Sequence, residues 1–189
     1  MKRSLLFVVL GSLWVISAQA EDNDVAARIA ASRETVKTFM GELKGELQAA
    51  MKAGGPVHAI QACNIKAPEI ARRLSSEKGF EVSRTSLRVR NPANAPDAWE
   101  RSVLEKFEQR KAAGENPGKI EYSEVVTENG KREFRYMKAI PSGALCLTCH
   151  GESIAPAVRA KLDELYPEDK ATGFKQGDIR GAFSIIQPM

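Results

Sequence analysis

The sequence predicts an α+β domain, and three observations predict it. Apolar residues recur at helical spacing early in the chain, two strand-like runs meet later across a strong turn signal, and an apolar run near the C-terminus has the composition of a closing strand. Helices gathered ahead of antiparallel strands argue against the alternation that builds a parallel sheet. The 189 residues are 43% hydrophobic and 28% charged, which suits one domain with a true core once a leader is set aside.

That leader covers residues 1–20. Lys2 and Arg3 precede an apolar run from Leu5 to Ile16, and Ala18-Gln19-Ala20 stands just before Glu21 and Asp22. Basic, apolar and small-residue regions in that order form a cleavable secretory signal. The apolar run is about 12 residues, short of the roughly 20 that a membrane-crossing helix needs. The expectation is a periplasmic protein, cleaved after Ala20, with no transmembrane segment in the mature chain.

From Asp24 to Met51, Val25, Ile29, Val36, Phe39, Met40, Leu43, Leu47 and Met51 follow a helical period, which predicts one long amphipathic helix. Gly54-Gly55 ends it and Pro56 opens a second helical stretch through Cys63. A break is expected at Ala67-Pro68, with a short helix from Pro68 to Leu74. Residues 80–90 alternate, and Val82, Leu87 and Val89 suggest a strand. The run Asn91-Pro92-Ala93-Asn94-Ala95-Pro96 then stops regular structure. Asp97 with Glu100 has the form of a capping box for a helix through Trp99, Val103, Leu104 and Phe107 to about Ala113. Two strand-like runs over 119–126 and 133–140 flank Glu128-Asn129-Gly130-Lys131, the strongest hairpin signal in the chain. A helix over Pro156–Tyr166 and a strand over Gly181–Gln187 complete the order. The organisation expected is a signal over 1–20, an N-terminal helix over 21–55 and a domain over 56–189.

Charge excludes one class of partner. The net +4 falls to about +2 without Lys2 and Arg3, and the basic stretches Arg72-Arg73 and Arg84 to Arg90 are short and lack interleaved aromatics. Nucleic acid binding is not expected.

Three cysteines make an odd set for an exported protein, where a disulfide framework would use four or six. Cys146, Cys149 and His150 form Cys-x-x-Cys-His, the segment whose two thiols add across the vinyl groups of one haem while the histidine points at iron. Three rivals use the same residues. A thioredoxin-like dithiol needs a βαβ unit that the chain lacks, zinc needs a fourth ligand and suits adjacent Cys-His poorly, and a chance match is disfavoured because covalent haem attachment and a secretory signal belong to the same compartment. One covalently attached haem c is the expected cofactor.

Iron held by His150 takes a second axial ligand from His58, Cys63, Met40, Met51, Met137 or Met189. Cysteine counting favours Cys63, against the alternative of an inert packing thiol. His58 and Cys63 differ by about 140° on one helix, so only one of them is expected to face the iron.

Several runs now carry a resemblance: Ala59 to Cys63, Ala67 to Ala71, Arg84 to Trp99, Cys146 to Gly151, and Gly177 to Ala182. Together they resemble an exported c-type haem domain family long described as a domain of unknown function. The resemblance spans essentially the whole mature chain. It implies a PAS-like antiparallel sheet with flanking helices, and one haem c between the motif histidine and a cysteine thiolate, positions that are His150 and Cys63 here. It also implies sensing, since the family occurs as the extracytoplasmic part of larger signalling proteins.

A thiolate stabilises ferric iron, and its weakening on reduction would open a position for nitric oxide or carbon monoxide. The expectation is therefore a redox or gas sensor acting through a partner protein, with movement of residues 56–74 as the output. A small periplasmic electron carrier is the alternative. One histidine beside the motif offers little for acid-base chemistry, and no enzyme activity is expected. Arg84, Arg88 and Arg90 share a face of the expected strand and reach either haem propionates or, as is commoner, water. Tyr122, Tyr136 and Met137 are expected in hairpin packing rather than a haem pocket, and Asp97 as a helix cap.

Overall fold

The computed structural model describes residues 13–128 and 130–189. The expected signal over 1–20 lies largely outside the described residues, as does Asn129 of the expected turn. In chain order the elements are α1 (Leu13–Lys78), β1 (Glu81–Thr85), α2 (Ala98–Ala112), β2 (Glu121–Glu128), β3 (Lys131–Pro141), α3 (Ala144–His150), α4 (Pro156–Leu165) and β4 (Ile179–Pro188). The four strands form one antiparallel sheet in the order β1-β4-β3-β2, with helices on both faces. This is the PAS-like α+β arrangement that the sequence predicts. No helix among the described residues is long and apolar enough to cross a membrane.

The sheet separates two cores because successive strand residues face opposite ways. Phe134 and Tyr136 of β3 and Phe183 and Ile185 of β4 pack under α1 with Val36, Phe39, Ile70 and Leu74. Their neighbours Met137, Ala139 and Ala182 turn to the other face and pack under Val103, Leu104 and Phe107 of α2. The tyrosine and methionine of the hairpin thus serve these cores, as expected. α2 starts where its capping box says: Glu100 N donates to Asp97 Oδ1 at 2.7 Å and Asp97 N donates to Glu100 Oε2 at 3.0 Å.

α1 is two helical segments joined at a kink. Gly54 and Gly55 leave helical geometry, and Gly55 takes φ 70° and ψ −165°, a backbone region that only glycine enters without strain. The second segment then continues unbroken through Pro68 to Lys78, which corrects the expected break at Ala67-Pro68. Pro68 forfeits only the bond its missing N–H would have given to the Asn64 carbonyl, while Ile70 and Leu74 beyond it are held in the core.

β1 is also shorter than its alternation suggests, ending at Thr85 rather than reaching Arg90. Ser86 turns the chain: its hydroxyl donates to Arg180 O at 2.8 Å and accepts from Arg88 N at 3.1 Å. Opposite it, Gly181 sits so close that a Cβ would lie 2.3 Å from Thr85 O. Arg88 and Arg90 are therefore on the connection that follows β1, and they do not share a strand face with Arg84.

Candidate functional site

The Cys-x-x-Cys-His segment lies on α3, a two-turn helix entered from the end of β3. Cys146 and Cys149 are one helical turn apart, which places their side chains on one side, and His150 closes the helix. All three cysteines of the chain are free and half-buried.

His150 is held by its surroundings in one tautomer. Its Nδ1 lies 2.7 Å from Ala171 O; a carbonyl oxygen only accepts, so Nδ1 carries the proton and Nε2 keeps its lone pair. Burial, with Arg180 and Arg90 adding to it, pushes the imidazole well below its usual value, so the ring is neutral. A neutral imidazole with an unprotonated Nε2 and an Nδ1 anchored to backbone is the form that ligates a metal.

The anchor is itself braced. Ala171 N donates to Asp169 Oδ1 at 2.8 Å, and Asp169 pairs with Arg90 at 3.0 Å, their side chains 3% and 11% exposed. Arg90 also donates to Cys149 O at 2.6 Å and Ala171 O at 3.3 Å, and its Nη1 lies 3.3 Å from His150 Nε2. The backbone of α3 and the loop carrying Ala171 are thus tied through one guanidinium. Phe174 N donates to His150 O at 2.9 Å, and Gly173 N donates to Gly151 O at 2.8 Å, which closes the same loop against the end of the motif.

A cavity of about 380 Å³ opens between α1, β1, α3 and the start of β4, a size within the usual range of small-molecule sites. Cys146, Cys149, His150 and Cys63 all line it. Cys63 comes from the α1 segment beyond the kink, whose Ala59, Ile60 and Ala67 supply apolar wall beside it, with Leu43 and Leu47 from the segment before. Burial pushes the Cys63 thiol up, and the positive charges of Arg84 and Arg90 work against that rise. The other candidate ligands lie elsewhere. His58, Met40 and Met189 are exposed, Met51 is half-buried away from the cavity, and Met137 is buried under α2. Tyr122 and Tyr136 do not line the cavity either; Tyr122 packs against Trp99 with ring centroids 6.1 Å apart.

The charge of the cavity wall is one-sided. Arg72, Arg84, Arg90 and Arg180 line it, and among the described residues no carboxylate does. Arg84 and Arg90 are turned into the cavity, not to water, which corrects the commoner reading of that basic run; Arg88 lies outside it, stacked 4.2 Å from the centre of the Phe174 ring. Arg180 has no counterpart in the residue-by-residue sequence reading. Its Nε sits 3.2 Å from His150 Nδ1 and 3.5 Å from Nε2, alongside the ring, and burial with the neighbouring charges of Arg90 and Arg84 lowers it to about 9. The signal that pointed to it was the run Gly177 to Ala182, in which it is the one cation.

The donor set fits the cofactor expected from the sequence. Two thiols stand on one helix turn, a neutral histidine presents a lone pair, a third sulfur faces the same hollow, and the wall favours an anionic guest. Among the described residues no group of three or more His, Cys, Asp or Glu is placed to hold a metal ion.

Comparison with known proteins agrees with the architecture. The Tll0287-like family matches residues 16–188. Among solved structures, that of the cyanobacterial heme-protein Tll0287 is similar, with 24% identity and a TM-score of 0.62 over 84% of this chain and 96% of that one. No curated protein matches.

Proposed function

The chain belongs to the Tll0287-like family, and from that premise we propose that it is an exported haem protein of the cytochrome c type, acting as a redox or gas sensor. The observation that carries the reading is the convergence of Cys146, Cys149, His150 and Cys63 on one cavity while His58 and the methionines stay out of it. In this reading Cys146 and Cys149 would hold the haem through thioether bonds, and His150 Nε2 and Cys63 would ligate its iron. The haem, when bound, supplies a one-electron couple at its iron.

Cys63 is the responsive group. Burial, the larger influence, favours its thiol, and Arg84 and Arg90 work against it in favour of the thiolate. Release of Cys63 would leave room for nitric oxide or carbon monoxide. The helix that carries it is clamped at both ends, Ile60 against Val158 and Leu162 of α4 and Leu74 in the sheet core. The output is thus a small shift of residues 56–74 about the Gly54-Gly55 kink, transmitted to a signalling partner, and not a swing of the whole segment.

Electron transfer is the second reading, favoured by Leu145. This side chain is 39% exposed at the cavity rim beside Cys146, an apolar edge of the kind a redox partner docks on. Two measurements on protein matured with haem-attachment machinery separate the readings: ferric electron paramagnetic resonance and a redox titration, for wild type and Cys63→Ser. The sensor reading expects a changed ferric signal and a raised potential in the variant, and gas binding to the reduced wild type. An unchanged ferric signal rules out the thiolate, and spectra without haem overturn the cofactor.

A further inference from the structure

We propose that Arg84 and Arg180 form a paired carboxylate-binding site in the haem cavity, each holding one propionate of the cofactor. This deepens the haem reading and rests on it.

Arg84 and Arg180 are half-buried guanidiniums that line the cavity. Arginine stays charged in proteins, and taking that charge out of water is costly unless an anion meets it. Of the arginines lining the cavity, Arg72 is exposed on the outer surface of α1 and Arg90 is committed to Asp169. Arg84 and Arg180 remain. Neither has a carboxylate within salt-bridge distance among the described residues. What they have is rings: Arg84 lies 5.5 Å from the centre of the Phe39 ring, and Arg180 lies 5.8 Å from that of Phe174 and 3.2 Å from Nδ1 of the neutral His150 ring. A ring face supports a cation but does not neutralise it.

Two unneutralised guanidiniums and no acid on the wall leave the cavity with a charge deficit of about two. A haem brings two carboxylates, so the charges match in number as well as in sign. The positions are rigid, which suits recognition: Arg84 is on β1 opposite Phe183 of β4, and Arg180 follows the first residue of β4, so hydrogen-bonded neighbouring strands carry both. The planar fork of arginine donates two parallel hydrogen bonds to a carboxylate, whereas a lysine would offer only a point charge. Arg90 is excluded from the role by its partners, and Arg88 by its place outside the cavity.

The experiment compares two guests for the full chain purified without haem. Ferric protoporphyrin IX and its dimethyl ester share iron, ring and vinyl groups, and the ester has neutral side arms. Each is titrated by absorbance into wild type, Arg84→Gln, Arg180→Gln, the double variant and Arg101→Gln, an exposed control on α2. Wild type and the control should bind the acid at least about tenfold more tightly than the ester, the scale of a charge-assisted hydrogen bond. Each single variant should lose about half of that preference on a logarithmic scale, and the double variant should show none. The wild-type comparison needs no substitution, so misfolding of a variant cannot hide the answer. Equal binding of acid and ester by wild type overturns the carboxylate site and leaves the haem reading standing. A preference that survives in the double variant assigns the carboxylates to other residues and also overturns it. Binding of neither guest overturns the haem reading, and this inference with it.

Discussion

Replacing Asp169 with asparagine removes one charge and keeps the rest of the residue. The Asn side-chain oxygen can still accept from Ala171 N as Asp169 Oδ1 does at 2.8 Å, but the 3.0 Å pair with Arg90 is lost between side chains only 3% and 11% exposed. Breaking a buried pair from one side costs about 3–5 kcal/mol because the remaining charge is stranded. Arg90 keeps two backbone acceptors, Cys149 O and Ala171 O, which puts the expected loss near the lower bound, about 3 kcal/mol. For a domain of this size that lowers the melting temperature by about 6–12 °C. The measurement is urea unfolding of the haem-free chain followed by circular dichroism, so that ligand binding does not enter the balance. The slope m should stay constant while the midpoint falls, and Arg90→Gln combined with Asp169→Asn should lose less than the sum of the two single changes. A loss below about 1 kcal/mol, the range of a solvent-exposed pair, would refute the view that this pair braces the loop behind His150.

Three further outcomes follow from packing, backbone geometry and charge. Phe39→Ala empties a fully buried position 5.1 Å from the Phe183 ring and should cost about 3–5 kcal/mol in chemical denaturation. Gly181→Ala should destabilise the chain sharply in a thermal melt, because its Cβ would meet Thr85 O at 2.3 Å and force β1 away from β4; a near-wild-type melt would show that the two strands can separate locally. Tyr136 is buried and donates to Glu121 Oε2 at 2.7 Å, and burial, then that bond and the nearby negative charge, hold its phenol above the usual 10. Above pH 10 the unfolded chain therefore gives up this proton first and binds fewer protons than the folded one, so stability falls as pH rises there. Tyr136→Phe should flatten that part of the pH profile measured by urea unfolding.

How much of this was legible in the sequence depends on whether the signal was local. The capping box at Asp97 and Glu100, the kink at Gly54-Gly55 and the strands flanking Gly130 each need only a few adjacent residues, and all were readable. The break expected at Pro68 failed because a proline's local cost competes with burial of Ile70 and Leu74, which is a tertiary fact. β1 stops at Thr85 because of a hydroxyl at Ser86 and the close approach of Gly181, a residue far away in sequence; alternation along residues 80–90 carries no trace of either. The candidate site shows the same division. Cys146, Cys149 and His150 announce themselves by spacing, and Cys63 by being left over. Asp169, Arg180 and the Ala171 carbonyl work only through where the fold puts them, and no spacing rule marks them.

The last strand of the chain is an inner strand of the sheet. β4 pairs on one side with β1, where Glu81 faces Ile186, and on the other with β3, where Glu133 faces Pro188. Without those ten residues β1 has no neighbour in the sheet and the β2–β3 hairpin is open on both edges, so the sheet no longer joins the two sides of the cavity. β4 is therefore the seam of the sheet: a chain without it keeps Cys63 and the whole Cys-x-x-Cys-His segment but loses the sheet that ties β1 to β3 beside them. Such contacts between distant parts of the chain also make folding slow.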